Sequence, residues 1–469
     1  MKLKSIYKLT VLTLLLCAAF TLCFAVSASA SGSTALPADT SEDSSNVSAL
    51  SAELFTERDL EQEPDTAGAE TITLSSGKGV TITEAGVYVL RGTAKETTVT
   101  VEADKDAKVQ LVLDGVSVTN TDFPCIYVKS ADKVFVTTVS DSTLSVTGGF
   151  RKDGDTKTDG AIFSRADLTL NGCGTLTVSS TDNGVVSKDD LKITGGSYVV
   201  TAESKCFEAN DSIRVAAGSF TLNAGSDGLH AENDEDETLG KLYLLGGRFT
   251  ITAGDDAIHA NTLLQIEGGN YSITAAEGLE ATKVLINGGI LDIKASDDGV
   301  NAARKSSALS PAVEINGGRL TVTMGQGDTD AVDSNGDLII TGGRVEVTGN
   351  SGFDVDGSIS FTGGTVIVNG QEVTSIPNQM MGGGFGGKGG MNGGMGGGFG
   401  GKGGFGGQMP TDGEFPSDSE FPTDGQFPAN GEFPTGGQMP GDGQRPFKGG
   451  RGRSGQAPTG GQTPSSDTL

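Results

Sequence analysis

The chain has 469 residues, with 60 acidic and 33 basic side chains that give a formal charge of −27 at pH 7. This balance argues against nucleic acid and anionic lipid as direct partners, because both carry the same sign of charge as the protein. It fits a protein that binds cations, and it also fits a soluble protein whose acidic groups only face water. The positions of the acidic residues must decide between these interpretations.

Residues 1–30 have the pattern of a signal peptide. Lysines at the start precede an apolar stretch, and Ala28-Ser29-Ala30 supplies the small residues of a cleavage site. We therefore expect a secreted, extracellular protein without a membrane span, with association with the cell surface as a further option. The five cysteines, two of them in this segment, are too few for a disulfide framework in a chain of this length.

Two further segments have the composition of disordered chain. Residues 31–69 are rich in Ser, Asp and Glu with few apolar side chains, which predicts an acidic disordered linker. Residues 377–469 contain Gly runs and Pro-containing hexapeptides, which predict a low-complexity tail without a core. The sequence does not indicate a role for this tail.

The segment between them, residues 70–376, repeats itself. Two alternate apolar residues precede each of a series of Gly-Gly pairs, and two more follow it, as in Leu264/Ile266 and Tyr271/Ile273. Alternation with period two predicts strands with one buried face, and the glycines predict a bend between them. The pairs are Gly195-Gly196, Gly246-Gly247, Gly268-Gly269, Gly288-Gly289, Gly317-Gly318, Gly342-Gly343 and Gly363-Gly364.

A third short strand follows in each repeat, as in Gly228-Leu229-His230-Ala231. Three short strands in about twenty residues, in nearly constant register, are typical of one turn of a β-helix. The usual hand of parallel crossovers makes such a helix right-handed. The sequence therefore predicts an all-β, right-handed parallel β-helix (a solenoid), with 71–150 as its first, less regular turns.

Aligning the third strands produces two columns of polar residues. The first column consists of Asp227, Asp256, Glu277, Asp298 and Asp330. The second column, three residues later and predicted to point outward, consists of Glu208, His230, His259, Glu280, Asn301, Asp333 and Asp354. Asp255 and Asp297 add charge beside the first column. Neighbouring members of a column would stack about 4.8 Å apart.

Stacked like charges are unfavourable, by about 1 kcal/mol per pair in water and more where water is excluded. Raised carboxyl pKa values or bound cations would relieve this repulsion. Carboxylate, amide and carbonyl oxygens are the ligands of Ca²⁺, so we predict calcium here, against the alternative of a solvated acidic face. The predicted ligands are Asp227, Asp255, Asp256, Glu277, Glu280, Asp297, Asp298, Asn301, Asp330, Asp333 and Asp354.

The two histidines of the chain occupy adjacent positions of the second column. His230 and His259, together with Asp227 and Asp256, present ligands that a transition metal such as zinc accepts. The opposing interpretation is that two exposed ladder positions happen to hold histidine, and the sequence favours it.

Several short motifs stand out within the repeats: Asp114-Gly115-Val116, Ala161-Ile162-Phe163-Ser164, Leu168-Thr169-Leu170-Asn171-Gly172 and the stretch from Val186 to Gly196. With these motifs the chain resembles the carbohydrate-binding parallel β-helix proteins of clostridia and their relatives, whose fold is similar to that of pectate lyases. The resemblance spans about residues 70–375. It implies binding of calcium and of plant cell-wall polysaccharides, including cellulose and acidic pectins, and no catalytic residue transfers with it.

The sequence thus predicts a secreted, non-catalytic, calcium-dependent polysaccharide-binding protein. Calcium would bridge protein and uronate carboxylates, helped by basic insertions. These contain Arg151, Lys152 and Lys157 in one loop and Arg304 and Lys305 in another. Because the chain has no Trp and six Tyr, crystalline cellulose is a weaker candidate than an acidic polysaccharide.

Two alternative functions remain open at this point. A pectate-type lyase would need a base, for which Lys188, Lys205 and Lys283 are the candidates near the columns. A structural adhesin would use calcium only to stiffen the fold and would have no affinity for saccharides. The sequence does not predict an oligomeric state.

Overall fold

The computed structural model describes residues 43–326 and 329–377. These residues contain one helix, α1 (Asp43–Leu54), and 34 strands that join in a single sheet. All strand pairs are parallel except the last, β33 with β34. The all-β character and the parallel pairing that the sequence predicts are therefore confirmed. The predicted signal peptide and nearly all of the predicted tail lie outside the described residues.

The strands form three ladders, which we number by their order within a repeat. The first ladder comprises β1 (Glu70–Thr73), β3 (Gly86–Lys95), β5 (Lys108–Asn120), β7 (Lys133–Ser140), β10 (Asp167–Gly172), β13 (Asp190–Ile193), β16 (Ser212–Val215), β19 (Lys241–Leu244), β21 (Asp256–Ile266), β23 (Glu277–Ile286), β26 (Ala312–Ile315), β29 (Asp337–Ile340) and β32 (Ile359–Phe361). The second adds β8 (Ser142–Val146), β11 (Thr175–Ser180), β14 (Ser197–Ala202), β17 (Ser219–Ala224), β20 (Arg248–Ala253), β22 (Asn270–Ala275), β24 (Ile290–Ala295), β27 (Arg319–Met324), β30 (Arg344–Thr348), β33 (Thr365–Val368) and β34 (Gln371–Val373). The third adds β2 (Val80–Ile82), β4 (Val99–Glu102), β6 (Ile126–Ser130), β9 (Gly160–Ser164), β12 (Asn183–Ser187), β15 (Phe207–Ala209), β18 (Leu229–Ala231), β25 (Val300–Ala302), β28 (Asp330–Ser334) and β31 (Ser351–Val355).

Most strands pair with the corresponding strand one repeat later, so that residues at equivalent positions become neighbours. Tyr271, for example, pairs with Phe249 before it and Leu291 after it. The long strands β3 and β5 serve the first and second ladders, and β21 and β23 serve the third and first. The second glycine of a pair makes the bend with a positive φ, which is 114° at Gly247 and 104° at Gly269. A side chain would be strained in this conformation.

The apolar positions of the repeats point inward and form one continuous core. Within it, the rings of Phe220 and Phe249 stack at 4.4 Å between centroids, and those of Phe249 and Tyr271 at 4.7 Å. Tyr198 and Tyr271 are buried, as the alternation predicts. Hydrophobic burial and ring stacking thus hold successive repeats in register.

The structure differs from the predicted linker at residues 43–62. Helix α1 ends in Leu54, and Leu54 and Phe55 pack against Leu245 on the outer side of the first ladder. Further along, Asp59 is completely buried in contact with Lys133. This part of the segment is therefore packed and not a disordered linker. Two adjacent apolar residues and one buried ion pair fix a stretch whose overall composition is typical of disorder.

Two cysteines in the described part of the chain, Cys125 and Cys206, are free and buried, whereas Cys173 is exposed. Burial raises the pKa of each of the two buried thiols to about 12. Across residues 43–326 and 329–377, no helix has the length and apolar character that crossing a bilayer requires.

Candidate functional site

The third ladder carries both polar columns in the predicted register. Glu208, His230, His259 and Glu280 pair in succession across four strands. Asn301, Asp333 and Asp354 continue the second column in the same way. In the first column Asp256 pairs directly with Glu277. The stacking of these side chains, inferred from sequence spacing alone, is therefore present in the fold.

The second column points away from the core, but several of its members are not exposed. His230 and His259 are each 6% exposed, and Glu280 is 4% exposed. The expectation of two exposed histidines is therefore wrong. Loops 232–240 and 303–311, which follow β18 and β25, contribute side chains that contact this column. Water is largely excluded there, so each charge needs a partner within the protein or a bound ion.

At the start of the second column the protein supplies its own cations. Lys188 Nζ lies 2.7 Å from Glu208 Oε1, and Lys205 Nζ lies 3.6 Å from Glu208 Oε2. His230 lies between two carboxylates, with Nδ1 2.8 Å from Asp227 Oδ2 and Nε2 3.0 Å from Glu232 Oε2. Burial alone would raise the pKa of Asp227, but its hydrogen bond and charge interaction with His230 lower it. The ring of His230 thus contacts both carboxylates and links the first column to loop 232–240.

His259 lies one repeat further on, where three buried side chains meet. Its Nδ1 is 2.8 Å from Asp256 Oδ2 and 2.8 Å from Glu280 Oε2. Burial would lower the pKa of His259, but the hydrogen bonds to the two carboxylates raise it to about 9. Lys305 Nζ, 2.7 Å from Glu280 Oε1, adds a second cation from loop 303–311. At neutral pH the imidazolium of His259 neutralises this part of the columns.

The two carboxyls that share His259 differ in their titration. Burial alone would raise the pKa of Glu280, but hydrogen bonds from His259 and Lys305 lower it. Burial raises the pKa of Asp256, and the negative charge of Glu280 adds to this rise, despite the hydrogen bond with His259 that lowers it. Glu280 therefore carries the negative charge that pairs with the imidazolium.

Three carboxyls of the columns have no lysine, arginine or histidine of the described residues within ion-pair distance. They belong to Glu277, Asp298 and Asp333. Burial, and then the charge of Glu280, raise the pKa of Glu277 to about 8. Burial raises the pKa of Asp298 to about 6 despite its hydrogen bond from the backbone of Asp330. Burial and the charges of Asp298 and Asp354 raise the pKa of Asp333 to about 7. Glu277, Asp298 and Asp333 therefore retain protons to a higher pH than ordinary carboxyls do, and a bound cation would favour their ionised forms.

Asn301 lies between Glu280, which has protein cations beside it, and Glu277, which has none among the described residues. One atom of its side chain, the carbonyl oxygen, is buried and accepts no hydrogen bond from these residues. Its Nδ2 donates to Glu277 Oε2 at 3.0 Å and to Glu280 Oε1 at 3.4 Å. Its Oδ1 is buried and accepts no hydrogen bond from any residue in the described part of the chain. A buried carbonyl oxygen is costly to leave unsatisfied, so this atom is suited to a water molecule or a cation.

The remaining predicted ligands occupy less enclosed positions. Asp255 and Asp297 are exposed and precede the first column by one residue, with Ala276 at the equivalent place between them. Asp330 is half-buried and accepts a hydrogen bond from Ser351 Oγ. Asp354, at the end of the second column, is half-buried. These residues lie in or beside the columns, but they do not share one centre.

The donor atoms divide the columns into two kinds of candidate metal site. Glu277, Asp298, Asn301, Asp330 and Asp333 offer only oxygen atoms, which are the ligands that calcium prefers. One ligand atom from each of Asp256, His259 and Glu280 lies within 4.8 Å of the others, a set that includes a nitrogen. A transition metal bound there would have to displace the proton that His259 shares with the two carboxylates. The oxygen-only half therefore fits calcium better.

The three lysines considered as lyase bases are all engaged in ion pairs. Lys188 and Lys205 pair with Glu208, as described above. Lys283 pairs with Glu314 at 2.6 Å in the first ladder. Lys283 lies three residues after Glu280 on β23, where this strand passes from the third ladder to the first.

The basic insertions are also largely neutralised by the protein. Arg151 pairs with Asp122 at 3.3 Å, and its guanidinium lies 3.9 Å from the ring centroid of Phe123. Lys157, 68% exposed, pairs with Asp159 at 2.9 Å. Lys305 is engaged with Glu280. Lys152 and Arg304 are exposed and have no ion pair with any residue in the described part of the chain, so the cationic ends of these two side chains are open to solvent.

The repeats and their carboxylate columns define an all-β protein with an extended polar ligand surface on one ladder. A family model described as carbohydrate-binding domain-containing protein matches residues 76–331, more than half of the chain. The chain belongs to this family. The resemblance seen in the sequence is therefore confirmed at the level of a carbohydrate-binding family.

Two relatives illustrate the similarity. A carbohydrate-binding domain-containing protein of Acetivibrio thermocellus is 39% identical over 132 residues, which are 27% of this chain and 46% of the relative. The chain thus spans about half the length of this curated relative. A solved structure described as a polysaccharide lyase-like protein from C. thermocellum, gadolinium derivative, is 31% identical, with a TM-score of 0.42. The match covers 48% of this chain and 96% of that one.

Proposed function

We propose that this chain is a secreted, non-catalytic protein that binds polysaccharide through calcium held by the oxygen-only half of the columns. In this proposal the three ladders form a right-handed parallel β-helix, and the glycan is an acidic plant cell-wall polysaccharide or cellulose. The family membership supports the carbohydrate, and the chemistry of the columns supports the calcium.

One observation carries the choice of calcium. Asn301 Oδ1 is a buried acceptor without a donor in the described structure, and it lies next to carboxyls without a protein cation. Burial and then charge repulsion raise the pKa values of Glu277, Asp298 and Asp333, and a divalent cation beside them would satisfy that oxygen and offset both effects. The first half of the columns does not need such an ion, because the imidazolium of His259 and the ammonium group of Lys305 fill that role.

Calcium would also explain how an acidic protein binds an acidic polymer. A calcium ion held by protein carboxylates presents positive charge and open coordination positions toward the solvent. Uronate carboxylates can complete the coordination, so that the ion bridges two groups that would otherwise repel each other. The repeated columns would offer such positions along the stack of repeats.

The experiment measures binding of polygalacturonate and of cellulose in calcium and in EDTA, with Asp298→Asn as the test variant. We expect calcium-dependent binding that weakens in Asp298→Asn, because one ligand charge is removed. Asp292→Asn is the matched control, since Asp292 is exposed on β24 in the second ladder, away from the columns. Equal binding in calcium and EDTA, or equal loss in both variants, would contradict the proposal.

The same samples separate binding from cleavage and from a purely structural role. A lyase would generate unsaturated ends from polygalacturonate, seen as rising ultraviolet absorbance that is abolished by Lys188→Ala. We expect no rise from neutral to alkaline pH, because Lys188 is engaged with Glu208. A structural adhesin would be stabilised by calcium and bind no saccharide in the panel.

A further inference from the structure

The segment from Asp43 to Gln62, which we name the strap, covers a second polar surface, on the outer side of the first ladder. Asp59 is its centre and is completely buried. Lys133 Nζ lies 2.7 Å from Asp59 Oδ1, and Lys192 Nζ lies 3.6 Å from Asp59 Oδ2. Thr169 Oγ1 donates to Asp59 Oδ1 at 3.0 Å. The carboxylate is thus held from three successive strands, β7, β10 and β13.

Backbone atoms of the strap are also held by the ladder. Asn171 Nδ2 donates to the carbonyl of Glu61 at 2.9 Å, and Thr194 Oγ1 donates to the carbonyl of Asp59. Gln62 accepts from the backbone of Gly172 at 3.0 Å. These contacts hold a short stretch of chain that begins in the turn at residues 57–60 and ends at Gln62. A ligand carrying a carboxylate and several hydroxyl or carbonyl oxygens could make the same kinds of contact.

The charges on this surface are not balanced by the strap alone. Lys133 and Lys192 are both at least nine-tenths buried, and the strap provides one carboxylate for the two ammonium groups. Arg214 is neutralised by Asp190 at 2.9 Å, so it is not available to a ligand. Asp167 lies at the start of β10 and interacts electrostatically with both lysines. The two lysines and Thr169 form a compact anion-binding group.

Aromatic residues flank this group at equivalent outward positions of the ladder. Phe135 on β7 pairs with Thr169 on β10, and Thr169 pairs with Lys192 on β13. On the other side of Lys192, Tyr243 on β19 pairs with Arg214 on β16. The strap covers the Phe135 ring with the guanidinium of Arg58, 4.4 Å from its centroid. Beside Lys192 it leaves a cavity of about 360 Å³, lined by that lysine and residues 52–57. Rings and cations together are groups that bind acidic sugars, by stacking and by ion pairing.

We propose that Lys133, Lys192 and Thr169 form a second, calcium-independent binding site for the carboxylate of an acidic saccharide, and that Asp59 of the strap occupies it in this structure. The strap is then a tethered competitor, and opening it exposes the site. This site is separate from the columns and does not depend on their calcium. A ligand gains apparent affinity in proportion to the fraction of molecules whose strap is open.

The test uses the full chain in EDTA, with trigalacturonate as the probe and cellotriose as its uncharged counterpart. Asp59→Asn removes the charge that the lysines hold, and Glu57→Gln removes one from an exposed strap position as the matched control. Hydrogen exchange of residues 50–62 measures strap opening, and calorimetry measures binding. We expect Asp59→Asn to open the strap and to tighten trigalacturonate binding about tenfold or more, without a gain for cellotriose. Glu57→Gln should match the unsubstituted chain.

Adding Lys133→Gln and Lys192→Gln to Asp59→Asn should abolish the gain, while melting followed by circular dichroism reports whether the repeats remain folded. An open strap without tighter binding would overturn the proposal, as would a gain that survives loss of both lysines. A closed strap in Asp59→Asn would also overturn it, because the carboxylate would then not be the group that holds the strap. Failure of calcium-dependent binding in Asp298→Asn leaves these outcomes unchanged, so the two proposals are tested separately.

Discussion

Glu277 provides a direct test of charge repulsion in the columns. Its carboxyl pKa is raised from 4.5 to about 8, first by burial and then by the charge of Glu280. A raised pKa means that the folded state holds the proton more tightly than the unfolded chain. The contribution to stability is therefore fully present below pH 4.5 and is lost as the pH rises through about 8. Metal-free protein should become less stable across this range.

The size of the effect follows from the same values. At about 1.4 kcal/mol per pH unit, the full rise corresponds to at most about 5 kcal/mol. The Glu277 carboxyl is partly open to solvent, and screening reduces this to about 1–2 kcal/mol. For a domain of this size, that is a change of a few degrees in melting temperature, about 2–4 °C. Glu277→Gln should recover it at pH 8 in EDTA, because the amide carries no charge.

The assay is thermal melting between pH 5 and pH 8, with EDTA and with calcium. We expect Glu277→Gln to flatten the pH dependence in EDTA and to reduce the stabilisation by calcium, which the unsubstituted protein shows most strongly at high pH. Glu235→Gln is the control, because Glu235 is exposed in loop 232–240. If Glu277→Gln melts with the unchanged pH dependence of the control, the carboxyl is not destabilised by its surroundings and our reasoning fails.

Three further outcomes are expected. Phe249→Ala should lower the free energy of unfolding in denaturant by about 3–5 kcal/mol, because it removes the middle ring of the stack with Phe220 and Tyr271. A decrease under about 1 kcal/mol would contradict a tightly packed core. The thiols of the folded protein at Cys125 and Cys206 should not react with a thiol reagent at pH 8, because burial holds their pKa values near 12; rapid labelling of either would contradict their burial. Lys305→Gln should destabilise the protein at neutral pH by removing a cation from Glu280, and an unchanged melting temperature would mean that His259 alone suffices.

The sequence predicts the register of this fold well because the repeats are constrained at every level. A one-residue slip would turn apolar positions such as Leu264 and Ile273 from the core to the solvent, so the alternation fixes which residues stack. The same constraint aligns the second column, and its predicted neighbours pair as expected from Glu208 to Asp354. Columns in an in-register parallel stack can therefore be located from spacing alone.

The partners of the columns could not be located in this way. Lys305 reaches Glu280 from a loop whose path does not follow the repeat, and Glu232 reaches His230 from another. Sequence position predicts a role in substrate binding for Lys305, and no sequence pattern marks Glu232 as a partner of His230. Loops lack the periodicity that places strand residues, so their contacts depend on tertiary packing.

The strap was missed for a related reason. Asp59 contacts residues about 110 positions further along the chain, and composition alone predicts disorder for its segment. The available signal was local: Leu54 and Phe55 are adjacent apolar residues within an otherwise polar stretch. Lys133 and Lys192 also fall on outward positions of predicted strands, where buried partners cannot be recognised from alternation.

The distribution of loops along the third ladder bears on our proposal that a cation from solution binds beside Glu277, Asp298 and Asp333 and not beside His230. An in-register parallel stack repeats a charge about every 4.8 Å, and side chains within the stack cannot move apart to relieve it. Relief must come from outside the stack, and loops 232–240 and 303–311 supply it beside His230 and Glu280. After β28 the chain turns within two residues into β29. Among the described residues Glu277, Asp298 and Asp333 have no lysine, arginine or histidine within ion-pair distance, and burial raises their pKa values, so we expect an ion from solution to gain most by binding beside them.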